Sequence, residues 1–178
     1  GVLLDKKDEE YLKKIGVKDS KQLTAARREM LLEEIKKKAI AFHISKTEAS
    51  EIDGRAKVGL HLNNIDALKA AEIINALNKH KSETIEVVID CPSTNIENWK
   101  NYLVRYVNNP ENLKFKVEHK ADINHVSCSA ASIIAKVTRD GEIEDIKKKE
   151  GVDFGSGYPS DPLTIKFLNE HGKKHRKE

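Results

Sequence analysis

Ile85-Glu86-Val87-Val88-Ile89-Asp90 is the stretch on which the fold turns. Its β-branched side chains favour extended backbone, and the nearly continuous apolar run is the pattern of a strand buried on both faces. It stops at a carboxylate, Asp90. Asn95 to Val107 follows as an amphipathic helix with Trp99 and Leu103 on one side. Leu113 to Glu118 then reads as a second strand, followed in turn by Asp122. Strand, helix and strand at this spacing predict parallel pairing within an α/β layered domain.

Working outward toward the N-terminus, a helix from about Asn63 to Lys79 carries a broad stripe of Ile65, Leu68, Ala71, Ile73, Ala76 and Leu77, the signature of a core-facing helix. A loop is expected around Asp53-Gly54-Arg55. Ala39 to Ser45 alternates as a strand, and Thr24 is placed to cap a helix running to about Lys38. A short charged helix, Asp8 to Ile15, precedes it, and the chain opens on Gly1-Val2-Leu3-Leu4, which reads as the end of a strand. Toward the C-terminus, Val126 to Glu150 is a long helix whose first half is rich in small residues. Gly155-Ser156-Gly157-Tyr158-Pro159-Ser160-Asp161-Pro162 must be a loop, given its glycines and prolines. A helix from about Leu163 ends near Gly172, and Lys173 to Glu178 form a basic tail. One domain over residues 1–172 is expected.

Composition narrows the function classes. With 34% charged residues, 32 Lys and Arg set against 29 Asp and Glu leave a formal charge of only +3, so most charges balance across a solvated surface. Such a balance permits a nucleic-acid partner without demanding one. Two cysteines, Cys91 and Cys128, are too few for a disulfide scaffold and lack the paired spacing of a zinc site. They read as ordinary thiols in a reducing compartment. No apolar run is long enough to span a bilayer and no leader pattern is visible, so a soluble, monomeric, cytoplasmic protein with no membrane partner is expected.

Ligand sites in open α/β sheets lie beyond the carboxyl ends of the strands, where Asp90 and Asp122 are both expected. Two carboxylates with no basic neighbour in sequence suit a hard divalent cation such as Mg²⁺ or Mn²⁺. A strand-end Asp also commonly caps the turn that follows it, and spacing alone leaves both readings open. Asp8, Glu9, Glu118 and Asp161 are the further acidic candidates, and His119 and His125 flank Asp122. Tyr158, on a turn bounded by prolines, is either a stacking platform for a sugar or base or a plug in the core. Lys18, Lys21, Lys120, Lys136 and Arg139 are candidate phosphate contacts.

The runs Gly16 to Thr24, Val88-Ile89-Asp90, Glu118 to Asp122, Ser129 to Asp140 and Gly155 to Pro162 closely resemble the archaeal type of ribonuclease HII, in family order and over nearly the whole chain. The resemblance implies a ribonuclease H-like α/β fold, a mixed sheet flanked by helices. It also implies Mg²⁺- or Mn²⁺-dependent endonucleolytic cleavage of RNA in RNA/DNA hybrids and at ribonucleotides embedded in duplex DNA, leaving a 3′-hydroxyl and a 5′-phosphate. Asp90 and Asp122 match the third and fourth active-site carboxylates of the family. Tyr158 matches the tyrosine that packs at the ribose of the RNA-to-DNA junction, and Lys21 matches a lysine near the phosphates. Ser20, Lys120, Lys136 and Arg139 lie within matching motifs, without individual roles.

One family motif has no match. The strand bearing Gly-x-Asp-Glu-Ala-Gly-Arg-Gly, which supplies the first two carboxylates and the backbone that grips the 2′-hydroxyl, is not found, and neither Asp8-Glu9 nor Asp53-Gly54-Arg55 substitutes for it. The expectation is therefore a sheet without its first, central strand and a chain that is weak or inactive alone. The alternatives are a module that binds hybrids without cutting them and another metal-dependent nuclease of the same fold.

Overall fold

In the computed structural model, residues 1–55, 59–78 and 83–172 are described. β3 (Ile85–Asp90) and β4 (Leu113–Glu118) pair in parallel, with Ile85 opposite Leu113 and Asp90 opposite Glu118. The connection between them is α5 (Ile96–Val104), whose first turn is capped by the Asn95 side chain accepting from the Asn98 N–H. Trp99 and Leu103 of α5 are buried against Ala67, Ala71 and Ile74 of α4 (Leu62–Leu77). The two alanines let the helices approach closely, and the Trp99 indole N–H donates to the Asn63 carbonyl at 2.9 Å. Burying Trp99 therefore leaves no polar atom stranded.

β1 (Val2–Leu3) pairs antiparallel with β2 (Ala41–Phe42), Val2 lying opposite Phe42. Between them come α1 (Lys6–Lys14) and α2 (Ala25–Lys38), which bury Leu12, Leu31 and Ile35. Thr24 caps α2 as the sequence predicts, its hydroxyl accepting from the Arg27 N–H at 3.2 Å. The strand expected over residues 39–45 shrinks to Ala41–Phe42, because Ala39 still bonds back to Ile35 and β1 offers only two ladder partners. The loop expected around Asp53 includes a helical turn, α3 (Ala49–Gly54), started by a reciprocal capping box between Glu48 and Glu51.

The described strands thus form one antiparallel and one parallel pair. β3 is half-buried rather than covered on both faces, with Glu86 exposed. Between β1 and β3 runs an apolar cleft of about 250 Å³ lined by Val2, Leu3, Ile74, Val87, Ile89 and Cys128, among others. After β4 come α6 (Ala121–Asn124), α7 (Val126–Glu150) and α8 (Pro162–His171). The chain divides into two compact units, residues 1–135 and 136–178. Lys79 and the basic tail, Lys173 to Glu178, lie outside the described residues. Among those described, no helix is long and apolar enough to cross a membrane.

Candidate active site

Asp90 is the last residue of β3, and the parallel register sets it beside Glu118. The ladder runs one residue further, with the Cys91 N–H donating to the Glu118 carbonyl at 2.9 Å. Two residues later Lys120 adopts a left-handed backbone, φ 58°, which turns the chain abruptly into α6. A non-glycine residue there costs about 1 kcal/mol. The turn points the Ala121 N–H at Oδ1 of Asp90, 3.3 Å away, and sets Asp122 in the first turn of α6. Asp122 therefore sits on a short helix, not simply at a strand end, and that helix carries it back toward Asp90.

Asp122 is 5% exposed. Burial, and then the charge of Asp90, push its carboxyl above the ordinary carboxylate range, and Lys21 Nζ, 3.9 Å from Oδ2, only partly opposes them. Asp19 helps to present this lysine: its carboxylate accepts from the Lys21 N–H at 2.9 Å at the start of the turn Ser20–Gln22. Ser20 is buried in that turn, and its carbonyl accepts from Arg28 at 3.1 Å. Ser129, buried on α7, donates its hydroxyl to the Asp122 carbonyl at 2.6 Å and so ties α6 down. Neither Asp19 nor Ser129 stands out in the sequence, since both act through backbone groups.

The other acidic candidates are engaged elsewhere. Glu118 accepts from Asn124 at 3.3 Å and pairs with His125 Nε2 at 3.0 Å; the Asn124 hydrogen bond is the main reason its carboxyl lies below the usual range. His119 Nδ1 lies 3.1 Å from the Cys91 carbonyl. Asp8 pairs with Lys38 at 3.3 Å. Glu9 accepts from the Ser127 N–H at 3.1 Å and satisfies a donor in the first turn of α7. Among the described residues no group of three or more His, Cys, Asp or Glu side chains is arranged to hold a metal. The all-oxygen pair of Asp90 and Asp122, in which the Asp90 charge adds to the burial that raises the Asp122 carboxyl, nonetheless suits one hard divalent cation whose remaining positions are open. Cys91 and Cys128 are free and buried, and burial raises the Cys128 thiol to about 11, so it stays protonated near neutral pH.

In the second unit, the loop between α7 and α8 is built around Asp161. Its carboxylate accepts from the Ser156 N–H at 2.6 Å and from the Leu163 N–H at 2.9 Å. Hydrogen bonding from Ser156, first its side chain and then its N–H, followed by the Leu163 N–H, lowers the carboxyl to about 2. Gly155 takes φ 77°, and a Cβ there would meet Asp161 and Leu163 at 2.8 Å, so glycine is required. Tyr158 is not a core plug, being 41% exposed. A carboxyl lowered on folding adds stability that is present above its unfolded value near 3.8 and is lost as pH falls through 2. The Ser156 amide should therefore stay protected from hydrogen exchange at pH 5 and lose protection between about pH 4 and 2. Asp161→Ala should abolish that protection at every pH.

The sequence pattern of the family described as Ribonuclease HII matches residues 1–178. The chain belongs to the ribonuclease HII family. The ribonuclease HII of Pyrococcus furiosus is 41% identical over 174 residues, covering 98% of this chain and 74% of that protein. The ribonuclease HII of Methanocaldococcus jannaschii is 42% identical over 185 residues, covering 98% and 78%. Among solved structures, the ribonuclease H2 of Pyrococcus horikoshii superposes with a TM-score of 0.82 at 36% identity, covering 98% of this chain and 79% of that one. Ribonuclease HII in the PCNA complex from Archaeoglobus fulgidus gives 0.80 at 39% identity, covering 96% and 77%. The fold is thus ribonuclease H-like, and the family is one of hydrolytic endonucleases acting on ribonucleotides paired with DNA.

Proposed function

We propose that the chain hydrolyses RNA in RNA/DNA hybrids and at ribonucleotides embedded in duplex DNA, in the cytoplasm, leaving a 5′-phosphate and a 3′-hydroxyl. The observation that carries this reading is the convergence of Asp90, from the end of β3, with Asp122, from α6, beside the exposed cation of Lys21. Asp90 and Asp122 are the residues that would hold Mg²⁺ or Mn²⁺. A bound divalent ion would neutralise charge on the scissile phosphate and make water a better nucleophile. A ribonuclease HIII from another source, similar in fold, was solved with Mn²⁺.

The chain's own residues then divide the work. Burial of Asp122 keeps bulk water from competing for its oxygens. The Ala121 N–H orients the Asp90 carboxylate, and Ser129 and the Lys120 turn hold α6 in place. Lys21, with its side chain 82% exposed, is free to swing from Asp122 to a phosphate oxygen. Tyr158 packs on the ribose at the junction, where a 2′-hydroxyl distinguishes RNA from DNA. Only two carboxylates converge among the described residues, so cleavage by these residues alone is expected to be slow.

Two measurements follow. Cleavage should be seen on an RNA/DNA hybrid and on duplex DNA with one ribonucleotide but not on an all-DNA duplex; equal cutting of all three would overturn the assignment. Lys21→Ala should leave stability unchanged within about 0.5 kcal/mol, because an exposed ion pair contributes little. It should weaken duplex binding and lower the slope of log affinity against log salt by roughly 0.9, the value for one lost phosphate contact.

A further inference from the structure

We infer that Arg139 is a positioning residue for Tyr158 rather than a phosphate contact, and so sets ribonucleotide recognition indirectly; this rests on the reading of Tyr158 as the ribose-packing residue. The guanidinium carbon of Arg139 stands 3.8 Å from the centroid of the Tyr158 ring, stacking distance for a planar cation on an aromatic face. The same guanidinium donates through Nη1 to the Ser156 carbonyl at 2.7 Å. One rigid group thus fixes both the ring and the backbone two residues before it.

The residue between them shows how closely the loop is drawn onto the helix. Gly157 takes φ 72°, and a Cβ at that position would lie 3.1 Å from Ile143 Cδ1 and 3.2 Å from Arg139 Nη2. One helical turn before Arg139, Lys136 Nζ lies 4.7 Å from the same ring centroid. It also sits 3.3 Å from the Tyr158 hydroxyl and 2.7 Å from Asp140 Oδ1. Lys136 and Arg139, two of the five cations that the sequence offers as phosphate contacts, are turned onto the tyrosine instead. Partial exposure leaves Tyr158 surface for a ligand while its orientation is set from the helix. Lysine does not replace arginine at 139, because an ammonium has no plane with which to stack and bond at once.

The test is binding of fluorescently labelled duplexes, with one ribonucleotide or none, by the full chain in EDTA, so that no cutting intervenes. Tyr158→Ala and Arg139→Ala should each weaken binding of the ribonucleotide duplex by about tenfold, the scale of one lost stacking contact, and erode the preference over the all-DNA duplex. The double variant should be no worse than Tyr158→Ala. The salt dependence should not change in Arg139→Ala, and Arg139→Lys should not restore affinity. Arg139→Lys keeps the charge and the alkyl stem, so it carries the test if the alanine variant unfolds. Additive losses with a shallower salt slope, or full rescue by lysine, would make Arg139 a phosphate contact and overturn the inference alone. A neutral Tyr158→Ala would overturn the reading of Tyr158, and the inference with it.

Discussion

Asp90→Asn is expected to lower cleavage by on the order of 10³-fold while the chain stays folded, because a cation clamp contributes several kcal/mol to stabilising the transition state. Asparagine retains an Oδ1 able to accept from the Ala121 N–H, as Asp90 does at 3.3 Å, so the entry into α6 should survive. Circular dichroism and single-turnover cleavage measured together separate the two effects. Asp122→Asn should lose activity to a similar degree and also raise the unfolding temperature. The Asp122 carboxyl is raised by burial and by Asp90. At neutral pH its ionised form therefore opposes folding, and a neutral side chain removes that opposition. Loss of activity together with loss of structure in both variants would make the pair a structural feature.

Trp99→Ala should have the largest effect on stability, about 3 to 5 kcal/mol. Trp99 is 5% exposed and lies in the cluster that joins α4, α5 and the β3–β4 pair. Its removal leaves a cavity between α4 and α5, and neither the Ala67 nor the Ala71 side chain is long enough to fill it. It also deletes the bond from the indole to the Asn63 carbonyl. The change is read from the urea midpoint by far-UV circular dichroism, since the chain has one tryptophan and loses its fluorescence probe with it. A shift below about 1 kcal/mol would mean that α5 does not anchor the strands that carry Asp90 and Glu118.

What was legible in the sequence follows from how local each signal is. β4 and α7 have the limits expected of them, Leu113–Glu118 and Val126–Glu150, because the alternation of Leu113, Phe115 and Val117 with charged residues and a long uninterrupted helical run are written into consecutive residues. The pairing of Asp90 with Asp122 was half-visible: their places after strands could be seen, but α6 could not. Four residues are too few for a periodicity, and the helix exists because Lys120 accepts a left-handed backbone. Glu9 reaches across 118 residues of chain to Ser127, a pairing that no local pattern announces. Lys136 and Arg139 look like surface cations at helical spacing until the loop returns and places Tyr158 against them.

The central claim is metal-assisted hydrolysis at a ribonucleotide by a site built on Asp90 and Asp122. It is tested most directly by single-turnover cleavage of duplex DNA carrying one ribonucleotide, with the protein in excess and Mn²⁺ or Mg²⁺ added. The account predicts a cut 5′ to the ribonucleotide, with a 5′-phosphate on the released end, that disappears in EDTA and in Asp90→Asn. Tight binding of that duplex with no cutting in either metal, or cutting that persists undiminished in Asp90→Asn, would contradict it.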